Sequence, residues 1–207
     1  MKKFIIFCAL SATFTSSYSQ DLNFKNDTSF VPSDLFYARL KKPTDYEFQL
    51  RLYFENGIGN KIKIGRANLM LIILRKGIWS AEKYLFTWDA TEEFISVKID
   101  SAVVKIDDYN KLFTELKNDS LFTLKTLTED QIVQMAYKRT PQNKLKPQWY
   151  DGVPPPYYVE VLAPNAARGF EIRMPKSYFD SYHLPELENY VLVLKKLLGV
   201  MGMSGPY

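Results

Sequence analysis

The stretch that decides the fold is Tyr46-Glu47-Phe48-Gln49-Leu50-Arg51-Leu52-Tyr53-Phe54. Tyr46, Phe48, Leu50, Leu52 and Phe54 alternate with Glu47, Gln49, Arg51 and Tyr53, the period of two expected of a strand with one buried face. Asn56-Gly57-Ile58-Gly59-Asn60 follows with turn chemistry. Asn68 to Leu74 then predicts a more fully buried strand, Lys76-Gly77 breaks it, and Ile78 to Trp88 predicts the returning half of a hairpin. Phe94 to Ile99 and Ala102 to Ile106 predict two further short strands, so this half is an antiparallel meander. Upstream, Gln20 to Phe30 is a polar lead-in, and Phe36 to Lys42 is ambiguous.

The second half is mixed. Asp107-Asp108 can cap a helix from Tyr109 to Lys117, with Leu112, Phe113 and Leu116 on one face. Thr128 and Gln131 have the spacing of a capping box for a helix through Tyr137. Tyr157 to Leu162 alternates, Pro164-Asn165-Ala166-Ala167 turns the chain, and Gly169 to Met174 returns as a late hairpin. A final helix starts near Pro185, carries Leu187, Val191, Leu194 and Leu198 as its stripe, and ends at Gly199. The expected fold class is α+β: an antiparallel sheet, meander plus late hairpin, with about three helices packed on it.

The first residues read as an address. Lys2-Lys3, the apolar run Phe4 to Leu10, and Ser17 and Ser19 before Gln20 have the layout of a secretory signal peptide. A spanning helix needs about 20 apolar residues, and this run ends at Ser11-Ala12-Thr13. The expectation is a signal peptide over 1–19, a single domain over 20–207, and a periplasmic, secreted or cell-surface location. Cys8 is the sole cysteine, so cleavage leaves a thiol-free chain, without disulfides, thiolate metal sites or a cysteine nucleophile.

The chain has 27 Lys+Arg and 23 Asp+Glu; losing Lys2 and Lys3 leaves 25 against 23. A net charge near +2 is no footprint for nucleic acid or for a polybasic membrane contact. The densest basic cluster, Lys138-Arg139 with Lys144 and Lys146, reads as a solvated loop.

Few chemistries remain. His183 is the sole histidine, and imidazole zinc sites need two or three. Ser177 or Ser181 with Asp180 and His183 crowd one short segment, and no nucleophile elbow exposes a serine. Gly57-Ile58-Gly59 lacks the third glycine and the helix of a dinucleotide loop. No cofactor is implied. Three adjacent acid pairs, Glu92-Glu93, Asp107-Asp108 and Glu129-Asp130, leave a carboxylate-dependent, glycosidase-like hydrolase as a rival reading. Strand neighbours point to opposite faces, however, and helix starts attract acids anyway.

The most distinctive segment is Trp149-Tyr150-Asp151-Gly152-Val153-Pro154-Pro155-Pro156-Tyr157-Tyr158. Its prolines impose polyproline II geometry after an Asp-Gly turn. It contains Pro-Pro-x-Tyr twice, a WW-domain ligand pattern at odds with an exported chain. Two readings stay open: a rigid lead-in to the next strand, or an aromatic platform of Trp149, Tyr150, Tyr157 and Tyr158 for a sugar or peptide.

The leader end Tyr18-Ser19-Gln20-Asp21 resembles those of secreted Bacteroidetes proteins. The helix at Tyr109 to Lys117, Asp151-Gly152 before Tyr157 to Val161, Met174-Pro175, Tyr178 and a closing helix are similar to small uncharacterised secreted proteins of that phylum. The resemblance spans the second half and implies an α+β fold but no activity. It also implies O-glycosylation acceptors at Ser101 in Asp100-Ser101-Ala102 and at Ser120 in Asp119-Ser120-Leu121. The reading that follows is an exported, non-catalytic domain that binds a peptide, a glycan or a partner protein. An inhibitor or immunity-type protein is a further alternative.

Overall fold

The computed structural model describes residues 37, 39–40, 45–56, 64–89, 97–139 and 156–203. Six strands form one antiparallel sheet: β1 (Phe48–Asn56), β2 (Ile64–Arg75), β3 (Ile78–Asp89), β4 (Val97–Val103), β5 (Tyr157–Ala163) and β6 (Ala166–Ile172). Their order is β4-β3-β2-β1-β5-β6, so β1 to β4 succeed one another and β5–β6 joins beside β1. Four helices accompany them: α1 (Tyr109–Asn118), α2 (Glu129–Arg139), α3 (Pro175–Tyr182) and α4 (Glu188–Val200). The protein is α+β.

Period two places Phe48, Leu50, Leu52 and Phe54 of β1 in the core that all four helices cover. Met70 and Ile72 of β2, Val159 and Val161 of β5, and Phe170 of β6 continue that face. From the helices come Leu116, Ile132, Tyr178 and Leu194. Trp79 stacks on Phe113 with ring centroids 4.9 Å apart and so ties the β2–β3 hairpin to α1.

Local signals act as their chemistry requires. The Asp108 carboxylate accepts from Lys111 N at 2.9 Å and caps α1. At α2, Gln131 N donates to Thr128 Oγ1 at 3.3 Å and Thr128 N donates to Gln131 Oε1 at 2.9 Å, a reciprocal capping box.

Four expectations need correction. Among the described residues four helices are present rather than about three, because Pro175 opens α3 just after the strand; left-handed Met174 makes that sharp entry. The two short strands expected around Ile99 and Ala102 are one, β4, after which the chain leaves the sheet; residues 94–96 lie outside the described residues. α4 does not stop at Gly199: two more residues keep Met201 in the core, and Gly202, at φ +70°, makes the exit. Finally, β1 is buried on both faces, with Gln49, Arg51 and Tyr53 no more than 6 % exposed. On that second face Tyr53, Leu69, Leu71, Tyr84, Phe86 and Trp88 form their own cluster, with Tyr37 and Leu40 packed against it.

Candidate functional site

The sheet register builds a pocket at the C-terminal end of α4. Asn68, Leu85 and Asp100 are successive partners across β2, β3 and β4, and Met70, Lys83 and Ala102 form the next row. Both rows lie on the helical face, where Met70 is core. The pocket of about 320 Å³ opens between Asn68, Lys83 and Leu85 on its floor and Asp100 to Ala102 at its lip. Met201 and Met203, carried past α4, make its wall. That volume falls at the lower end of the roughly 300–1,000 Å³ of ligand pockets, and apolar walls with a few polar groups are their usual lining.

The polar groups are held in place. Lys83 Nζ donates to the Met201 carbonyl at 2.8 Å, putting a cation at the negative end of α4. An ammonium carries three donors, so this bond leaves it further donor capacity. Asp100 pairs with Lys98 at 3.0 Å in solvent. Met side chains adapt their shape to a guest, which suits a pocket for varied apolar groups.

A second polar constellation lies on the opposite face. Arg51 and Glu160, cross-strand partners on β1 and β5, approach to 3.5 Å with side chains about 5–6 % exposed. Arg51 Nε donates to Gln49 Oε1 at 2.9 Å, and the Tyr37 ring lies 3.8 Å from the guanidinium carbon. Tyr53 OH donates to Glu55 Oε1 at 2.6 Å. Burial, the neighbouring Glu55 adding to it, raises the Tyr53 phenol far above its ordinary value. Arg51 and Glu160 compensate each other's charge, while among the described residues Glu160 Oε2 is buried without a hydrogen bond of its own.

The residues singled out from sequence separate. Trp149 and Tyr150 lie outside the described residues. Tyr157 packs in the helical core against Phe54, centroids 5.2 Å apart. Tyr158 faces the other way, beside Tyr53 at 5.7 Å, and burial raises its phenol pKa. Adjacent strand residues alternate, so these two rings do not share a face. Ser101 is exposed on β4 at the pocket lip. Ser120 is half-buried in a left-handed turn, its Oγ accepting from Asn189 Nδ2 at 3.2 Å.

The acid pairs divide as well. Asp108 is a cap, Asp107 meets Lys105 at 3.4 Å, and Glu129 accepts from Tyr178 OH at 3.1 Å. Glu92-Glu93 lies outside the described residues. Asp180 holds Lys176 at 2.6 Å one turn away, and exposed His183 ends α3 in the left-handed conformation. Among the described residues no three His, Cys, Asp or Glu side chains gather to hold a metal, and no helix is long and apolar enough to cross a membrane. The pocket itself was not legible in the sequence, since Lys83 and Met201 meet across 118 residues.

No protein-family model matches this chain, and no curated protein matches its sequence.

Proposed function

We propose that this protein is an exported, non-catalytic binding domain that takes an apolar side chain of a peptide or partner-protein segment in the pocket between β3, β4 and the end of α4. The observation that carries the reading is the lining: Leu85, Ala102, Met201 and Met203 supply apolar contact, and Asn68, Lys83 and Asp100 supply polar groups on the floor and lip. A peptide presents that combination, an apolar side chain beside main-chain amides. Among the described residues the lining holds a single carboxylate, Asp100, whereas glycosidic hydrolysis calls for two facing carboxyls. Export rests on residues 1–19, with processing before Gln20, and the mass of the protein recovered from its source reads that directly.

Panning a random peptide library against the folded protein tests the binding reading. Enriched peptides share an apolar anchor and lose binding to the Ala102→Trp variant, in which an indole from an exposed position fills the pocket. Peptides that bind Ala102→Trp undiminished contradict it.

A further inference from the structure

The two edges of the sheet are finished differently. β6 is covered: Leu127 N donates to Glu171 O at 3.3 Å, Glu171 N donates to Thr126 Oγ1 at 3.1 Å, and Arg168 holds the carbonyl of Thr123 at 3.1 Å. β4 has β3 on one side and, among the described residues, no strand on the other. From Lys98 to Val103 every residue of β4 is exposed, Ile99 to 38 % and Val103 to 84 %. A bare edge of this kind is a template for another strand.

The ladder shows which amides are on offer. Val104 N donates to Ala81 O at 2.9 Å, continuing the register that sets Glu82 opposite Val103. In an antiparallel ladder each residue turns its N–H and C=O to the same neighbour, and the next residue turns both the other way. Lys98, Asp100, Ala102 and Val104 therefore direct theirs to β3. Val97, Ile99, Ser101 and Val103 direct theirs at the open edge.

We propose that β4 pairs with β4 of a second copy of this chain about a two-fold axis through Ser101, doubling the six-stranded sheet. A two-fold normal to the sheet keeps facing residues on one face, so each register centres on a residue. Centring on Lys98 sets ammonium against ammonium, and centring on Asp100 sets carboxylate against carboxylate, both unfavourable when directly opposite. Centring on Ile99 sets Val103 against residue 95, outside the described residues. Centring on Ala102 sets Ile99 against Lys105. Ser101 at the axis instead places Ile99 of each copy opposite Val103 of the other. The strand's two large exposed apolar side chains then cover each other twice, and the two Ser101 residues exchange N–H to C=O bonds. The contact is self-complementary and closes. It leaves the pocket mouths on the helical face, one on each side of the axis, and does not depend on what the pockets bind.

Sedimentation equilibrium on the full chain carrying Cys8→Ser tests this. The expected mass rises with concentration to twice the monomer, and Val103→Lys, at a side chain already exposed, weakens the association roughly tenfold or more while leaving the melting temperature of the dilute monomer unchanged. Mild oxidation reads the register: Ser101→Cys cross-links to itself, and Ile99→Cys cross-links to Val103→Cys when the two are mixed. A monomer at every attainable concentration, self-cross-linking of Ile99→Cys, or a foreign strand on β4 of an otherwise monomeric chain overturns the proposal. A chain with Val103 intact that stays monomeric yet binds selected peptides overturns the dimer and leaves the pocket reading standing.

Discussion

Arg51 and Glu160 face each other across β1 and β5, 3.5 Å apart, on the sheet face turned away from the helices. The separation exceeds that of a tight charge-assisted hydrogen bond, about 2.7–2.9 Å. The pair is nonetheless buried, and removing one partner strands the other's charge. Arg51→Met or Glu160→Leu alone is therefore expected to cost about 3–5 kcal/mol, and the double replacement much less, because desolvation offsets most of a buried pair's attraction. Denaturant unfolding of the three variants measures this; additive losses contradict it.

Gly65 is opposite Trp88 in the β2–β3 ladder, and a Cβ at Gly65 would come within 2.1 Å of the indole. Gly65→Ala is expected to destabilise by about 1–3 kcal/mol through overpacking. Trp88→Leu in the same chain relieves the clash, so a double-mutant cycle shows strong coupling; independent effects would place the ring elsewhere.

The Asp108 cap carries an exposed helix start whose first turn holds no other acid. Asp108→Ala should lower stability by about 1 kcal/mol, with Asp108→Asn recovering most of it. Thermal melts of the two variants separate capping from a general charge effect.

Alkali should unfold the protein through its tyrosines. Burial raises the phenols of Tyr53, Tyr158 and Tyr190 in the folded chain. Unfolded tyrosine ionises near pH ~10. Above that pH the unfolded chain holds fewer protons than the folded one, so stability, fully present at lower pH, falls as pH rises. Tyr53→Phe removes part of that slope. A slope unchanged in Tyr53→Phe between roughly pH 9 and pH 11 contradicts the assignment.

These tests also mark how far the sequence could be read. Caps and hairpins were legible because their partners are neighbours: Asp108 with Lys111, Thr128 with Gln131, and β2 with β3 around Lys76-Gly77. The opposite facing of Tyr157 and Tyr158 is inherent in their period of two. What escaped is long-range. The alternation of Gln49, Arg51 and Tyr53 reads as a solvated face, and long-range contacts, Tyr37 and β5 among them, bury it. α3 escaped because Pro175 and Tyr178 are its only fully buried residues, too short a stripe to set a helical period. The pocket escaped because Asn68, Lys83, Asp100 and Met201 belong to four separate elements or ends.

The central claim is that the pocket at the end of α4 is the binding site. The most direct measurement is methyl NMR on protein labelled at the methionine and alanine methyl groups, titrated with a peptide from the selection. The account predicts that Met201, Met203 and Ala102 shift together and saturate with one affinity, while Met135 on α2 stays in place. Saturable shifts at Met135 or Met174 with Met201 and Met203 unmoved would contradict it.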